Sequence, residues 1–266
     1  MTFREFWGGK KPVIGMVHLK ALPGSPRAAL PLEQIYDLAL RDAEALIEGG
    51  ADAVQVENQF DTPYRLGADL GPETSAFLAV AAERIKTRFP EIPLGVTVHL
   101  NGGVQAMAVA KAVGADFIRC FNLMNAYISN SGFVGAAAPE LMRYRRQLDA
   151  ERIMVFGDFQ VKHGSHAITA DRSLREKAHD IAVSGAEAAI LTGTATGVAP
   201  DAALLNEVSK NLPIPVLIGS GLNVNNAAAL WPSAGGAIIG SGFKPGGDLD
   251  APVDPALVRA FMRAIR

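Results

Sequence analysis

The chain has one cysteine, Cys120, in 266 residues, so no internal disulfide framework holds it together. Cys120 falls inside an apolar run, which points to a buried, inert thiol and not a nucleophile. Aromatic residues are scarce at 7%, and the 25 lysines and arginines nearly balance the 27 aspartates and glutamates. Without a basic excess or an aromatic stacking motif, the footprint of a nucleic-acid binder is missing. No apolar run approaches the roughly 18 residues of a membrane span. No basic amphipathic helix is present either, which leaves only a peripheral form of membrane association. Met1–Lys11 lacks the apolar centre of a signal peptide, and the expectation is a soluble, cytoplasmic protein. A Gly-x-Gly-x-x-Gly turn after the first apolar run is also absent, which argues against an open dinucleotide-binding sheet.

What the chain does have is apolar mass: 49% hydrophobic against 20% charged residues, enough for a large core and no disorder. Short apolar runs alternate with amphipathic ones from end to end. Strands are expected at Val13–Leu19, Ala53–Asn58, Leu94–Leu100, Phe117–Asn122, Ile153–Val161, Ala188–Thr192, Pro215–Ile218 and Gly236–Ile239. Helices are expected near Leu32–Glu48, Glu73–Phe89, Val104–Val113, Pro139–Ala150, Ser173–Val183, Asp201–Asn211, Asn225–Trp231 and Pro255–Ile265. Eight strand–helix pairs with no linker between them make an α/β chain that folds as a single-domain (β/α)8 TIM barrel over residues 1–266. Gly50, Gly114, Gly185 and Gly235 each open a phrase leading into a strand, where a left-handed glycine can end the preceding helix. The long connections, Lys20–Pro31, Gln59–Pro72, Leu123–Ala138 and Lys162–Arg172, all follow strand C-termini, the end where barrels keep their chemistry. Phe3, Phe6, Trp7 and Trp231 suit either a cap on the barrel's other end or a contact between copies in a homo-oligomer.

Strand alternation sorts the polar residues. If Val54 and Val56 pack on helices, Gln55 and Glu57 point into the barrel. The same parity turns Thr97 and His99 inward, as it does Arg119 and Asp158, with His18 ending the first strand and Lys162 at the rim. Six residues, His18, Glu57, His99, Arg119, Asp158 and Lys162, thus form a candidate catalytic set at the barrel mouth. A buried ion pair of Arg119 with Glu57 or Asp158 would explain some of it without chemistry. His163, His166 and His179 are expected on loop or helix surface. Asn58, Asn101 and Asn122 end strands, where they either cap backbone or orient ligand hydroxyls.

The last two strands end in near-identical turns, Gly219-Ser220-Gly221 and Gly240-Ser241-Gly242. Paired glycine-rich turns at these positions form the usual phosphate site of the barrel fold, with backbone amides and a helix N-terminus as donors. Gly193, in Thr192–Gly197 after the sixth strand, extends that candidate phosphate-binding set.

The segments Ile14–Pro26, Val56–Tyr64, Asp116–Arg119, Asp158–His163 and Ala237–Lys244 together resemble the BtpA/SgcQ family, over essentially the whole chain. The resemblance implies a TIM-barrel-like fold. It also implies either a photosystem I biogenesis role, as the family name reflects, or an enzyme of sugar metabolism. It carries no assignment of site residues. The expected function is therefore an enzyme on a small phosphorylated ligand, sugar phosphate-like, doing lyase- or isomerase-type acid/base chemistry. In that scheme Asp158→Asn would abolish turnover with the fold intact. A divalent metal held among His18, Glu57, His99 and Asp158, or an imine on Lys162, are chemical variants. A non-catalytic assembly factor that keeps the anion pocket is the alternative.

Overall fold

Nearly every barrel strand is apolar at consecutive positions, because a parallel strand closed into a barrel is buried on both faces. The computed structural model describes residues Met1–Arg266. Its strands are β1 (Val13–His18), β2 (Ala53–Glu57), β3 (Leu94–Thr97), β4 (Phe117–Cys120), β5 (Tyr127–Ser129), β6 (Gly132–Val134), β7 (Met154–Gln160), β8 (Ala188–Leu191), β9 (Val216–Ile218) and β10 (Gly236–Ile239). β1–β4 and β7–β10 form a closed barrel of parallel neighbours, shut by the pairing of β1 with β10 at Ile14 and Ile238. β5 and β6 form a separate antiparallel hairpin within the long connection after β4. The sequence pattern places only a loop there.

Helices α2 (Leu32–Glu48), α3 (Pro72–Arg88), α4 (Gly103–Val113), α5 (Ala138–Gln147), α6 (Leu174–Val183), α7 (Ala202–Asn211) and α9 (Pro255–Ile265) surround the barrel, with one-turn helices α1 (Phe3–Phe6) and α8 (Ala227–Leu230). Their apolar residues recur at helical spacing: α2 buries Ile35, Tyr36, Ala39, Ala43 and Leu46. Helix starts are set by local chemistry, as where Ser173 and Glu176 form a reciprocal capping box on α6. Gly50, Gly114 and Gly185 lead into strands with positive φ of 95°, 67° and 87°. Gly235 does not; it is glycine because a Cβ would lie 2.5 Å from that of Pro215.

Two cores result. One of 53 buried residues fills the shell between strands and helices. The other lies inside the barrel's N-terminal half, where Ile14, Met16, Phe117, Phe156, Ile190, Leu217 and Ile238 converge. α1 closes that end: Phe3 packs on Phe156 at 5.6 Å and Trp7 on Phe117 at 6.4 Å between ring centres. Trp231 packs on Phe261 of α9 instead, outside the barrel. The lower barrel is thus filled, and open space is confined to its C-terminal end.

Candidate active site

The inward parity expected from the strands holds. Gln55 donates to Thr97 Oγ1 at 2.6 Å across the barrel interior, directly above the apolar plug. One layer higher, His18 and Glu57 leave β1 and β2 side by side, in register at the last pair of those strands. His18 Nε2 lies 3.3 Å from Glu57 Oε1, and His99 Nε2 lies 3.6 Å from Glu57 Oε2. All three side chains are buried. Burial alone would raise the Glu57 carboxyl, but the neighbouring His99 and His18 rings win, by charge and polar contact, and hold it well below the usual carboxylate range.

His99 sits two residues beyond β3, which ends at Thr97 and not at Leu100. Its position is nevertheless fixed. Its amide donates to Asn58 Oδ1 at 2.8 Å, and its ring lies between Tyr64 and Phe121, with centres 4.4 and 4.5 Å away. Asn58 is thereby a backbone anchor. Asn101 and Asn122 do the same after β3 and β4: Asn101 Oδ1 accepts from the Asn122 amide at 2.9 Å, and Asn122 Nδ2 donates to Gly135 O at 2.9 Å. Of the two readings open for these asparagines, the geometry shows capping.

Arg119 and Asp158 form a two-pronged buried pair, Nε to Oδ1 at 2.9 Å and Nη2 to Oδ2 at 2.7 Å. Complete burial pushes the Asp158 carboxyl up, and Arg119 pulls it back. Asp158 is sealed behind that guanidinium, 1% exposed, whereas Arg119 reaches the cavity at the mouth. Past β7, which bulges between Asp158 and Gln160, Lys162 enters the same cavity. Its ammonium makes no ion pair within the chain, and burial followed by the nearby Arg119 charge pulls its pKa down.

The mouth cavity is small, about 30 Å³, and both Gly-Ser-Gly turns line it together with His18, Glu57, Arg119 and Lys162. The glycines serve the packing as much as any ligand. A Cβ on Gly219 would stand 2.9 Å from Arg119 Nη2, and one on Gly240 would stand 2.8 Å from His18 Cε1. Each turn's first glycine therefore makes room for a side chain from another strand, Arg119 from across the barrel and His18 from the neighbouring β1. The amides of Ser220, Gly221, Ser241 and Gly242 donate to no backbone carbonyl. No long helix begins at either turn: Ser241–Phe243 is a single tight turn, and α8 starts only at Ala227. The donors here are free amides and side-chain cations, so the helix-N-terminus element of the expectation is corrected. Gly193 stands apart from the two turns. It lies outside the cavity, beneath its own loop, where a Cβ would meet Val198 O at 2.3 Å; Thr196 lines the mouth instead.

His163 is exposed and His166 half-buried, and His163 Nε2 meets Thr196 Oγ1 at 2.9 Å, tying two mouth loops together. His18, Glu57, His99 and Asp158 do not assemble as a metal-binding group, because the Asp158 oxygens are engaged by Arg119. Cys120 is buried and its thiol is pushed up to about 12, as suits an inert core residue. No helix is long and apolar enough to cross a membrane. Tyr64 and Phe121 clamp His99; Phe121 shares the parity of Phe117 and Arg119 in its expected strand, whereas Tyr64 lies in a loop with no period to place it.

Comparison with known proteins places this architecture. An uncharacterized protein of Archaeoglobus fulgidus is 41% identical over 94% of this chain and 98% of its own. The photosystem I biogenesis protein BtpA of Synechocystis is 34% identical over 96% of this chain and 88% of its own. The structure of N-(5'-phosphoribosyl)anthranilate isomerase from Pyrococcus furiosus superposes with a TM-score of 0.56, covering 96% of this chain and 98% of that one at 17% identity, a likeness of fold. The BtpA family model matches residues 9–266, from just before β1 to the chain end, and the protein accordingly belongs to the BtpA family.

Proposed function

We propose that the barrel mouth binds the phosphoryl group of a small metabolite, and that Glu57 with its two histidines moves protons on that metabolite in an isomerase- or lyase-type reaction. One observation carries the reading: a single cavity is lined by both Gly-Ser-Gly turns, the unpaired Lys162, Arg119 and the Glu57–His18 pair. Free amides and two cations satisfy a phosphate dianion without a metal-like donor set. Glu57, held ionised between His18 and His99, is a base at neutral pH, and His18 is placed to polarise an oxygen beside it. Asp158 acts through Arg119 as a positioning residue. The structural relative's name describes an isomerase of a phosphoribosyl compound, the class of reaction such a mouth suits.

Two measurements test this. Inorganic phosphate at about a hundredfold over its dissociation constant adds about 2.7 kcal/mol to stability, a rise of roughly 5–10 °C in unfolding midpoint for a chain of this size. Incubation with sugar phosphates in D₂O, read by NMR, should show solvent deuterium entering a substrate C–H, and Glu57→Gln should abolish it. The name of the Synechocystis relative favours a second reading, an assembly factor that kept its anion pocket. Ligand stabilisation without any deuterium exchange would select that reading. An imine on Lys162 is separable from both by borohydride trapping; the acid/base scheme expects no adduct.

A further inference from the structure

The mouth cavity of about 30 Å³ has room for little more than a water or one small group. A metabolite's remaining atoms need another place. Against the mouth, between the connections that follow β1 and β2, lies a second cavity of about 340 Å³, within the size range of small-molecule sites. The wall between the two is the Glu57–His99 contact: Glu57 lines the mouth and His99 lines the side cavity. His99 is only 8% exposed, yet neither ring nitrogen has a hydrogen-bond partner within the chain, the 3.6 Å approach to Glu57 being too long for one. Buried polar atoms left unsatisfied are uncommon, and the residue that carries these lies on the wall of a space that a ligand can fill. The Ser25 hydroxyl, on the same wall, is a second buried group without a partner.

We infer that this side cavity holds the hydroxyl-bearing body of the ligand whose phosphoryl group sits at the Gly-Ser-Gly turns. The inference rests on the phosphate reading of the mouth and adds where the rest of the ligand lies and what it is made of. Asp61 and Glu73 bring two carboxylates to the lining against the single guanidinium of Arg65, so a second anionic group is disfavoured. Pro23, Pro26, Pro63, Tyr64 and Leu70 supply the cavity's apolar faces, and polar groups share the lining with them. A hydroxyl both donates and accepts, and so can serve carboxylates, His99 and Ser25 at once. A ligand bridging both cavities crosses the His18–Glu57–His99 row, which places its intervening carbons beside the proton-moving groups.

Titration calorimetry at fixed ionic strength tests the assignment, with inorganic phosphate and a panel of ribose 5-phosphate, ribulose 5-phosphate, fructose 6-phosphate and glucose 6-phosphate. At least one sugar phosphate should bind tenfold or more tightly than inorganic phosphate. Ser25→Phe, which fills the side cavity from a loop, should erase that advantage and leave phosphate affinity unchanged. Glu73→Ala, on a half-buried side chain with no ion pair to lose, should reduce the advantage about fivefold without endangering the fold. If phosphate binds but no sugar phosphate gains on it, or the gain survives both substitutions, the side-cavity assignment is overturned and the mouth reading stands. If neither phosphate nor any sugar phosphate binds, the mouth reading itself falls and takes this one with it.

Discussion

Glu57 and Asp158 are both fully buried carboxylates inside one barrel, and their partners give them opposite chemistry. Glu57 has two imidazoles, and its folded-state pKa is depressed below its ordinary value of 4.5. A depressed carboxylate stabilises the fold above its unfolded pKa and loses that contribution as pH falls through the folded one. The stability gap between wild type and Glu57→Gln should therefore be larger near pH 5.5 than near pH 3.5, by urea unfolding at each pH. An unchanged gap would mean that the histidines do not hold the carboxylate. Asp158 instead is bound by one guanidinium and reaches no solvent. Asp158→Asn strips a charge from a buried pair, which typically costs about 3–5 kcal/mol. The acid/base scheme read from the sequence predicts that this variant loses turnover with its fold intact; the geometry expects a marked drop in unfolding midpoint as well.

The turns after β9 and β10 show how one residue type is used for different ends. Gly219 has no space for a Cβ, with Ile190 Cγ2 at 2.4 Å and Arg119 Nη2 at 2.9 Å from that position. Gly114, at the C-terminus of α4, has φ of 67° and nothing within 4 Å of its missing Cβ. Gly114→Ala should cost roughly 1 kcal/mol from its left-handed backbone and leave ligand binding untouched. Gly219→Ala should displace Arg119, cost about 1–3 kcal/mol from overpacking, and lower phosphate affinity at least tenfold in calorimetry. Equal phosphate affinity in the two variants would show that Arg119 does not belong to the anion site. Element positions are legible in the sequence because buried parallel strands read as short apolar runs: all eight barrel strands lie within three residues of their expected ends, and within them His18, Glu57, Arg119 and Asp158 point inward as their parity dictates, while His99 and Lys162 lie past the strand ends. The hairpin Tyr127–Val134 is not legible, since two strands of three residues have no room for a period to show. Asn225–Trp231 reads as a helix on its alanines, but only one turn forms before Pro232 enters a tighter one. Gly193 lies outside the mouth cavity and the asparagines bond to backbone, because glycine and asparagine at strand ends answer to close backbone packing as readily as to a ligand.

At the scale of the whole molecule, stability and chemistry lie at opposite ends of the barrel. The N-terminal end is an aromatic stack, Phe3 on Phe156 on Phe117 under Trp7, with stacked rings 4.9 Å apart at its centre. Gly95 permits it, because a Cβ there would lie 2.1 Å from the Phe117 ring. The C-terminal end carries every ionisable group of the candidate site, separated from the stack by the Gln55–Thr97 layer. Barrels commonly divide their labour this way. Phe3 is 6% exposed and held by a one-turn helix, so truncating it empties a portion of the plug and touches nothing at the mouth. Phe3→Ala should cost about 3 kcal/mol, a fall of roughly 6–12 °C in unfolding midpoint, with phosphate affinity within twofold of wild type. A substitution at Ser241 should do the reverse, lowering phosphate affinity with little change in midpoint. A Phe3→Ala protein that keeps its midpoint but loses phosphate would mean that the plug sets the geometry of the mouth through the barrel wall, and the two ends would have to be treated as one coupled unit.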